Sequence, residues 1–358
     1  VIAIVSVSKS KILLTGALLA ATLWAVPAAA FTVTDEAGRT VELKKPAERA
    51  VIIGSYNVDI VAAIGSRDKI VGVTGRDVNQ YKLAGGKWDH SYNIGETGEV
   101  NYEAIVNADP DVVISYANGG WEEIERQLGA FGIPVVVASG WRNDRFNENV
   151  ELFGSIFGRE DGAEKVLDFR RHIYAEIEKR TAGLTPKTVY YENEIAYQTP
   201  TKGSGFYEAI VKGGGRSLFE DVVFGQAGHT QGTVWKTPID AAEILTREPD
   251  LVIREFGNNY TGSTKDVFDG EWKELQSRPG WVNLEAAKNN NIYIVNAYHL
   301  GQQAKTLTSL YVADWLYPEA FKDYRPEDIA RRWDEEFLGV PYKGDNGVYF
   351  IKAGTAGQ

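Results

Sequence analysis

"NADPDVVISY", residues 107–116, and "TREPDLVIRE", residues 246–255, spell the same local event twice. In each, a polar helical end runs into an acidic residue followed by Pro. Proline cannot continue a helix and pushes its predecessor out of the helical region, so the helix must stop there. An Asp follows, and then a short run rich in Val and Ile, too short for a helix and suited to a buried strand. A chain that makes this helix-Pro-strand corner twice is expected to contain two similarly built halves. The length of 358 residues agrees, since single cores stop growing at roughly 250–300 residues.

Working outward from the first copy, "FTVTDEAGRTVELKKPAERAVIIG" (residues 31–54) predicts a hairpin turning at Glu36-Ala37-Gly38. A buried strand over 50–53 follows and ends at Gly54. Asn57 is placed as the N-cap of a helix with apolar positions Val58, Ile60, Val61, Ala62 and Ile64, stopped by Gly65. "KIVGVT" (69–74) is a strand, and residues 78–100 lack periodicity and are read as a surface loop. "GGWEEIERQLGAFG" and "IPVVVAS" add a helix and a strand. Strands of four to seven apolar residues alternating with helices require a parallel, helix-covered sheet.

From 143 to 183 the pattern is wholly helical, with an apolar stripe at Val166, Phe169, Ile173 and Ile177. A helix of about 20 residues spans roughly 30 Å and can pass from one half to the other. Strand-helix alternation then resumes with "KTVYYE", "GFYEAIVKGG", "IDAAEILTRE", "DLVIRE", "VFDGEWKELQSR" and "NIYIVN", retracing the first half. Two amphipathic segments, "TLTSLYVADWLYP" and "RPEDIARRWDEEFLG", close the chain as helices. The expected fold is α/β: two Rossmann-like lobes with parallel sheets bridged by a single long α-helix. The expected divisions are a leader at 1–30, lobes at 31–142 and 184–358, and the helical connection 143–183.

The leader is read from Lys9 and Lys11, the apolar run "ILLTGALLAATLWAV", Pro27 and the small residues Ala28–Ala30, the pattern of a secretory signal cleaved after Ala30. The run is shorter than the ~20 residues of a membrane span. With no Cys in the sequence, a lipid-attachment cysteine is not expected, and the exported compartment is expected to be a periplasm. The formal charge of −11 becomes −13 without residues 1–30, which disfavours nucleic acid and anionic membrane surfaces as partners.

No G-x-S-x-G, G-x-x-x-x-G-K-[ST] or H-E-x-x-H pattern is present. "VKGGGRS" (211–217) follows a helix and is read as its terminus. In open parallel sheets ligands bind beyond the carboxyl ends of the strands. That rule selects Ser55 and Tyr56, Arg76 and Asp77, Tyr116 and Asn118, Trp141 and Arg142 in the first half. In the second it selects Glu192 and Asn193, Arg254 and Glu255, and Tyr298 and His299. Aromatics and guanidiniums recurring at this one kind of position suit a cleft for a sizeable anionic ligand. A bare divalent metal, or an oxyanion, held by His229, His299, Glu192 or Glu255 is the alternative within binding proteins. An exported chelatase-like enzyme is the alternative of another class, opposed by the absence of a legible nucleophile-base pair.

"VTDEAGRTVELKKPAERAVIIG", "NYEAIVNADPDVVI", "TKGSGFYEAIVKGGG", "AAEILTREPDLVI" and "WVNLEAAKNNNIYIVN" together resemble the periplasmic substrate-binding proteins of ABC importers. The type is the one with a helical backbone (class III) that handles ferric siderophores, haem, cobalamin and metals. The resemblance implies a monomeric, non-enzymatic receptor without a cofactor, a single-helix bridge allowing modest closure, and a ligand between the lobes reached also by Lys202 to Phe206, including Ser204 and Phe206. It further implies delivery to an inner-membrane ABC permease docked through one glutamate per lobe, seven residues before the repeat's Pro. Glu103 holds that place before Pro110, but the same offset from Pro249 lands on Ala242, leaving Glu243 beside it and Asp240 nearby. The expected ligand is a metal chelate, foremost a ferric siderophore. Arg76, Arg142 and Arg254 are expected to pair with its oxygens, and Tyr56, Tyr116, Trp141 and Tyr298 to cover its apolar faces.

Overall fold

The computed structural model describes residues 30–83, 88–96, 98–226, 228–257, 264–344 and 349–352, so the expected leader, up to residue 29, lies outside the described residues. After the hairpin Phe31–Thr34/Thr40–Leu43, the first sheet uses β1 (Ala50–Ile52), β2 (Ile70–Val73), β3 (Val112–Ser115) and β4 (Val135–Val137), all parallel, in the order β2-β1-β3-β4. The second uses β5 (Thr188–Glu192), β6 (Arg216–Ser217), β7 (Leu251–Glu255) and β8 (Ile292–Val295), again parallel and in the order β6-β5-β7-β8. The two sheets thus share one topology. The second departs from the parallel expectation only at its edge, where β9 (Phe350–Lys352) pairs antiparallel with β8.

The repeated corner has a specific job. Asp109 and Glu248, each just before the Pro, both adopt left-handed backbone (φ 45° and 51°) and turn the chain sharply out of the helix. The Asp after each Pro then reaches back to the first strand of its sheet. The Asp111 carboxylate accepts from the N–H groups of Glu48 (2.9 Å) and Arg49 (3.0 Å). The Asp250 carboxylate accepts from the Thr188 N–H (2.7 Å) and hydroxyl (2.9 Å). Each aspartate satisfies donors at the start of β1 or β5 and sets the third strand beside the first.

Helix α1 (Ser55–Ala63) begins immediately after Gly54, three residues earlier than expected, so Asn57 is not its N-cap. Asn57 is instead fully buried. Its Nδ2 donates to the carbonyls of Ile53 (3.1 Å) and Ala138 (2.8 Å), and its Oδ1 accepts from Gly140 N–H (2.8 Å). One amide therefore pins the loop after β4 to the end of β1. Asn57→Ala strands three backbone groups, and a loss of roughly 2–3 kcal/mol in urea unfolding is expected; a change below 0.5 kcal/mol would discount this pin.

Residues 78–100 are not one loop: a helix runs over Gly75–Leu83, a short 3₁₀ turn over His90–Tyr92, and Gly95–Glu96 pairs with Glu99–Val100. The connection is helical as expected, with Phe146–Phe157 followed by the 22-residue α2 (Glu160–Thr181). Val166, Phe169, Ile173 and Ile177 are all buried. Phe169 packs on Trp333 and Phe337 of the closing helices, with centroids 6.0 and 4.8 Å apart. Each such side chain contributes about 1.5–3 kcal/mol by leaving water.

Candidate functional site

The carboxyl ends of the two sheets border one cleft of about 890 Å³. From the first sheet it receives Tyr56 after β1, Ala117 and Asn118 after β3, and Ser139, Trp141 and Arg142 after β4. From the second it receives Ser204, Gly205 and Phe206 at the start of α3 (Gly205–Lys212), Glu255 at the end of β7, Ala297 after β8, and Thr233–Trp235. Two smaller hollows, of about 540 and 490 Å³, lie against the hairpin and beside Arg49, away from the strand ends.

Tyr56, Asn118, Trp141, Arg142 and Glu255, which the strand-end rule selects, are thus brought together with Ser204 and Phe206, which the resemblance implies. Tyr116 stands behind them, its ring edge-on to Trp141 at 4.8 Å. Phe206 is backed by Tyr191 at 4.8 Å. Gly301 lets Tyr56 in, for a Cβ there would lie 2.6 Å from the Tyr56 hydroxyl.

The remaining candidates do not border the cleft. Arg76 is exposed on the helix after the edge strand β2. Asp77 is buried beneath it, accepting from Ser55 Oγ (2.5 Å) and Thr74 Oγ1 (2.7 Å). Glu192 and Arg254 pair with each other at 3.2 Å, and Glu192 also takes Arg278 at 2.9 Å and the Tyr190 hydroxyl at 2.7 Å. Asn193 is wholly buried. The Tyr298 hydroxyl donates to Asp59 (3.0 Å), and His299 is buried face to face with Tyr349 at 3.5 Å, where burial pushes its pKa down to about 3. His229 is partly exposed and also outside the cleft. Among the described residues no three His, Cys, Asp or Glu side chains are grouped to hold a metal ion, so His229, His299, Glu192 and Glu255 do not form one cage.

Of the three guanidiniums expected to meet ligand oxygens, only Arg142 borders the cleft, and it is held by Asp144 and, at 3.0 Å, by Glu36. The cation at the centre is one that the strand-end rule does not reach. Lys305 lies within α4 (Ala297–Leu316), which unwinds over Gln302–Lys305. Lys305 is 8% exposed and donates to the Trp141 carbonyl at 2.6 Å. Its Nζ lies 5.5 Å from the ring centroids of both Tyr56 and Phe206. Burial pulls its pKa down to about 8, against the pull of Glu255 and Glu208. Glu255, given one hydrogen bond by Tyr191 (3.0 Å), is pushed up by burial to about 7. "GQQAK" carries a glycine but no proline, and nothing in it marks which side chain would enter a cleft.

The cleft is a solute-sized hollow walled by aromatics, with one buried ammonium and carboxylates nearby. A family model described as "periplasmic binding protein" matches residues 51–298. An uncharacterized ABC transporter substrate-binding lipoprotein of Bacillus subtilis, YvrC, is 21% identical over 82% of this chain and 87% of its own length. The molybdate-binding protein MolA of Haemophilus influenzae is 21% identical over 88% of this chain and 92% of its own. Among solved structures, a TroA-like periplasmic binding protein named FepB, from Veillonella parvula, superposes with a TM-score of 0.70 at 21% identity, covering 90% of this chain and 99% of that one.

Proposed function

Because the chain belongs to the periplasmic binding protein family, whose members carry solutes to ABC transporters, we propose that its solute is a metal chelate of the ferric-siderophore type. The observation that supports this most is the cleft itself: about 890 Å³, bordered by Tyr56, Trp141, Phe206 and Trp235 with Lys305 among them. That volume suits a ligand of several hundred daltons. It is far larger than a bare oxyanion such as the one for which MolA is named, which would leave most of the aromatic wall uncovered. The flat apolar faces of a chelate would lie against the rings, and its anionic oxygens would meet the ammonium.

The protein acts in this reading as a stoichiometric receptor without turnover, exported by residues 1–30. Its docking on the permease uses Glu103, exposed on the helix Tyr102–Asn107, and Glu243, exposed on Ala241–Arg247. Glu243 is engaged by Arg247 at 2.7 Å, so the permease must compete for it.

Intrinsic fluorescence tests the ligand class. Trp141 and Trp235 border the cleft, so a ferric chelate bound there is expected to quench emission at micromolar concentration. Haem, cyanocobalamin, molybdate and free Ni²⁺ form the comparison panel. Quenching by none of the ferric chelates, with saturable binding of molybdate or Ni²⁺, would defeat the chelate reading.

A further inference from the structure

The backbone around Lys305 is unusual. Gln303, Ala304 and Lys305 all lie in the left-handed region, with φ of 51°, 48° and 70°. None is glycine, and each such residue costs on the order of 1 kcal/mol or more, so the run persists only where its surroundings impose it. Arg170 of the bridging helix α2 supplies the restraint. It is buried, donates to the Gln303 carbonyl (2.6 Å) and to Thr306 Oγ1, and turns its other nitrogen to Asn143 Oδ1 (2.5 Å). The strained turn carries the only side chain of Gln302–Lys305 that borders the cleft. The α3 end makes room for it: a Cβ at Gly205 would lie 3.1 Å from Lys305 Cδ.

An ammonium so placed is poorly served by what surrounds it. Among the described residues its one hydrogen bond goes to the Trp141 carbonyl across the cleft, while an ammonium has three donors. The rings of Tyr56 and Phe206 offer weak cation–π attraction at 5.5 Å. The cleft guanidinium, Arg142, is already engaged by Asp144 and Glu36.

We propose that Lys305 is the anion receptor of the cleft, accepting a ligand through an anionic oxygen (carboxylate, catecholate, hydroxamate or oxoanion) that enters between Tyr56 and Phe206 and takes over the hydrogen bond now given to the Trp141 carbonyl. This rests on the cleft being the ligand site and narrows what it takes: cationic and neutral solutes are selected against. Arg170 is a positioning residue, holding the turn that aims the ammonium.

Fluorescence titration of the wild type, Lys305→Met and Lys305→Arg with ferric citrate, a ferric tris-catecholate, molybdate, cyanocobalamin and Ni²⁺ tests this. The wild type is expected to bind an anionic member best. Lys305→Met should weaken that member roughly 30-fold or more, and Lys305→Arg should recover part of the loss. Far-UV circular dichroism and thermal unfolding establish that each variant is folded; Lys305→Gln replaces Lys305→Met if it is not. Binding of the anion by Lys305→Met within threefold of wild type overturns the proposal while leaving the cleft in place, as does tightest binding of cyanocobalamin or Ni²⁺. A panel silent against wild type overturns the cleft reading and the proposal together.

Discussion

Glu192→Ala is expected to lower the unfolding free energy by about 3–5 kcal/mol while leaving ligand affinity of the folded protein unchanged within about twofold. Glu192 is fully buried and receives Arg254 (3.2 Å), Arg278 (2.9 Å), the Tyr190 hydroxyl (2.7 Å) and the Tyr197 N–H (2.9 Å). Removing the carboxylate leaves two buried guanidiniums facing each other's charge, the case in which breaking a buried pair is most costly. Arg254 keeps Glu271 at 3.2 Å and Arg278 keeps Glu274 at 2.9 Å, so the damage is bounded. Against a typical total of roughly 5–15 kcal/mol, the variant should still fold at low temperature, where binding can be measured. An unchanged urea midpoint with binding abolished would return Glu192 and Arg254 to the ligand.

This residue pair also shows where the sequence stopped being readable. Position just beyond a strand is a local property, and the helix-Pro-strand corner, the apolar strands and the α2 stripe are local too, so all were legible. Whether a strand-end charge faces the cleft or a partner in its own lobe is not local: Glu192 meets Arg278, far along the chain, only through the fold. β6 was hidden because two residues, Arg216 and Ser217, carry no periodicity. β9 was hidden because its antiparallel place beside β8 comes from the far end of the chain. Lys305 was hidden because it lies just before the closing helix read from Thr306, and only the fold shows that the non-helical turn Gln302–Lys305, fastened by Arg170 at the Gln303 carbonyl, reaches the cleft.

Affinity for an anionic chelate is expected to fall roughly 30-fold between pH 6.5 and pH 9.5, from the titration of Lys305 alone. The groups facing its ammonium are Glu255 from β7, Glu208 from α3, Asp144 beside Arg142, Arg170 from α2, and the Tyr56 phenol from α1, which burial together with Glu255 and Asp59 keeps protonated. Below about pH 7 Glu255 is neutral and Lys305 charged, so the cleft centre favours an anion. Rising pH first ionises Glu255, adding repulsion, and then, above about 8, removes the proton from Lys305 itself. Both steps act in the same direction, and the second alone gives a tenfold loss per pH unit once past its pKa. Lys305→Met removes the step above pH 8, and subtracting its profile from wild type cancels any titration of the chelate. Glu255→Gln should erase the step near 7 and move the lysine step to lower pH, because the carboxylate that supports the charged ammonium is gone. A wild-type profile parallel to that of Lys305→Met from 6.5 to 9.5 would mean that the ammonium does not touch the ligand's charge.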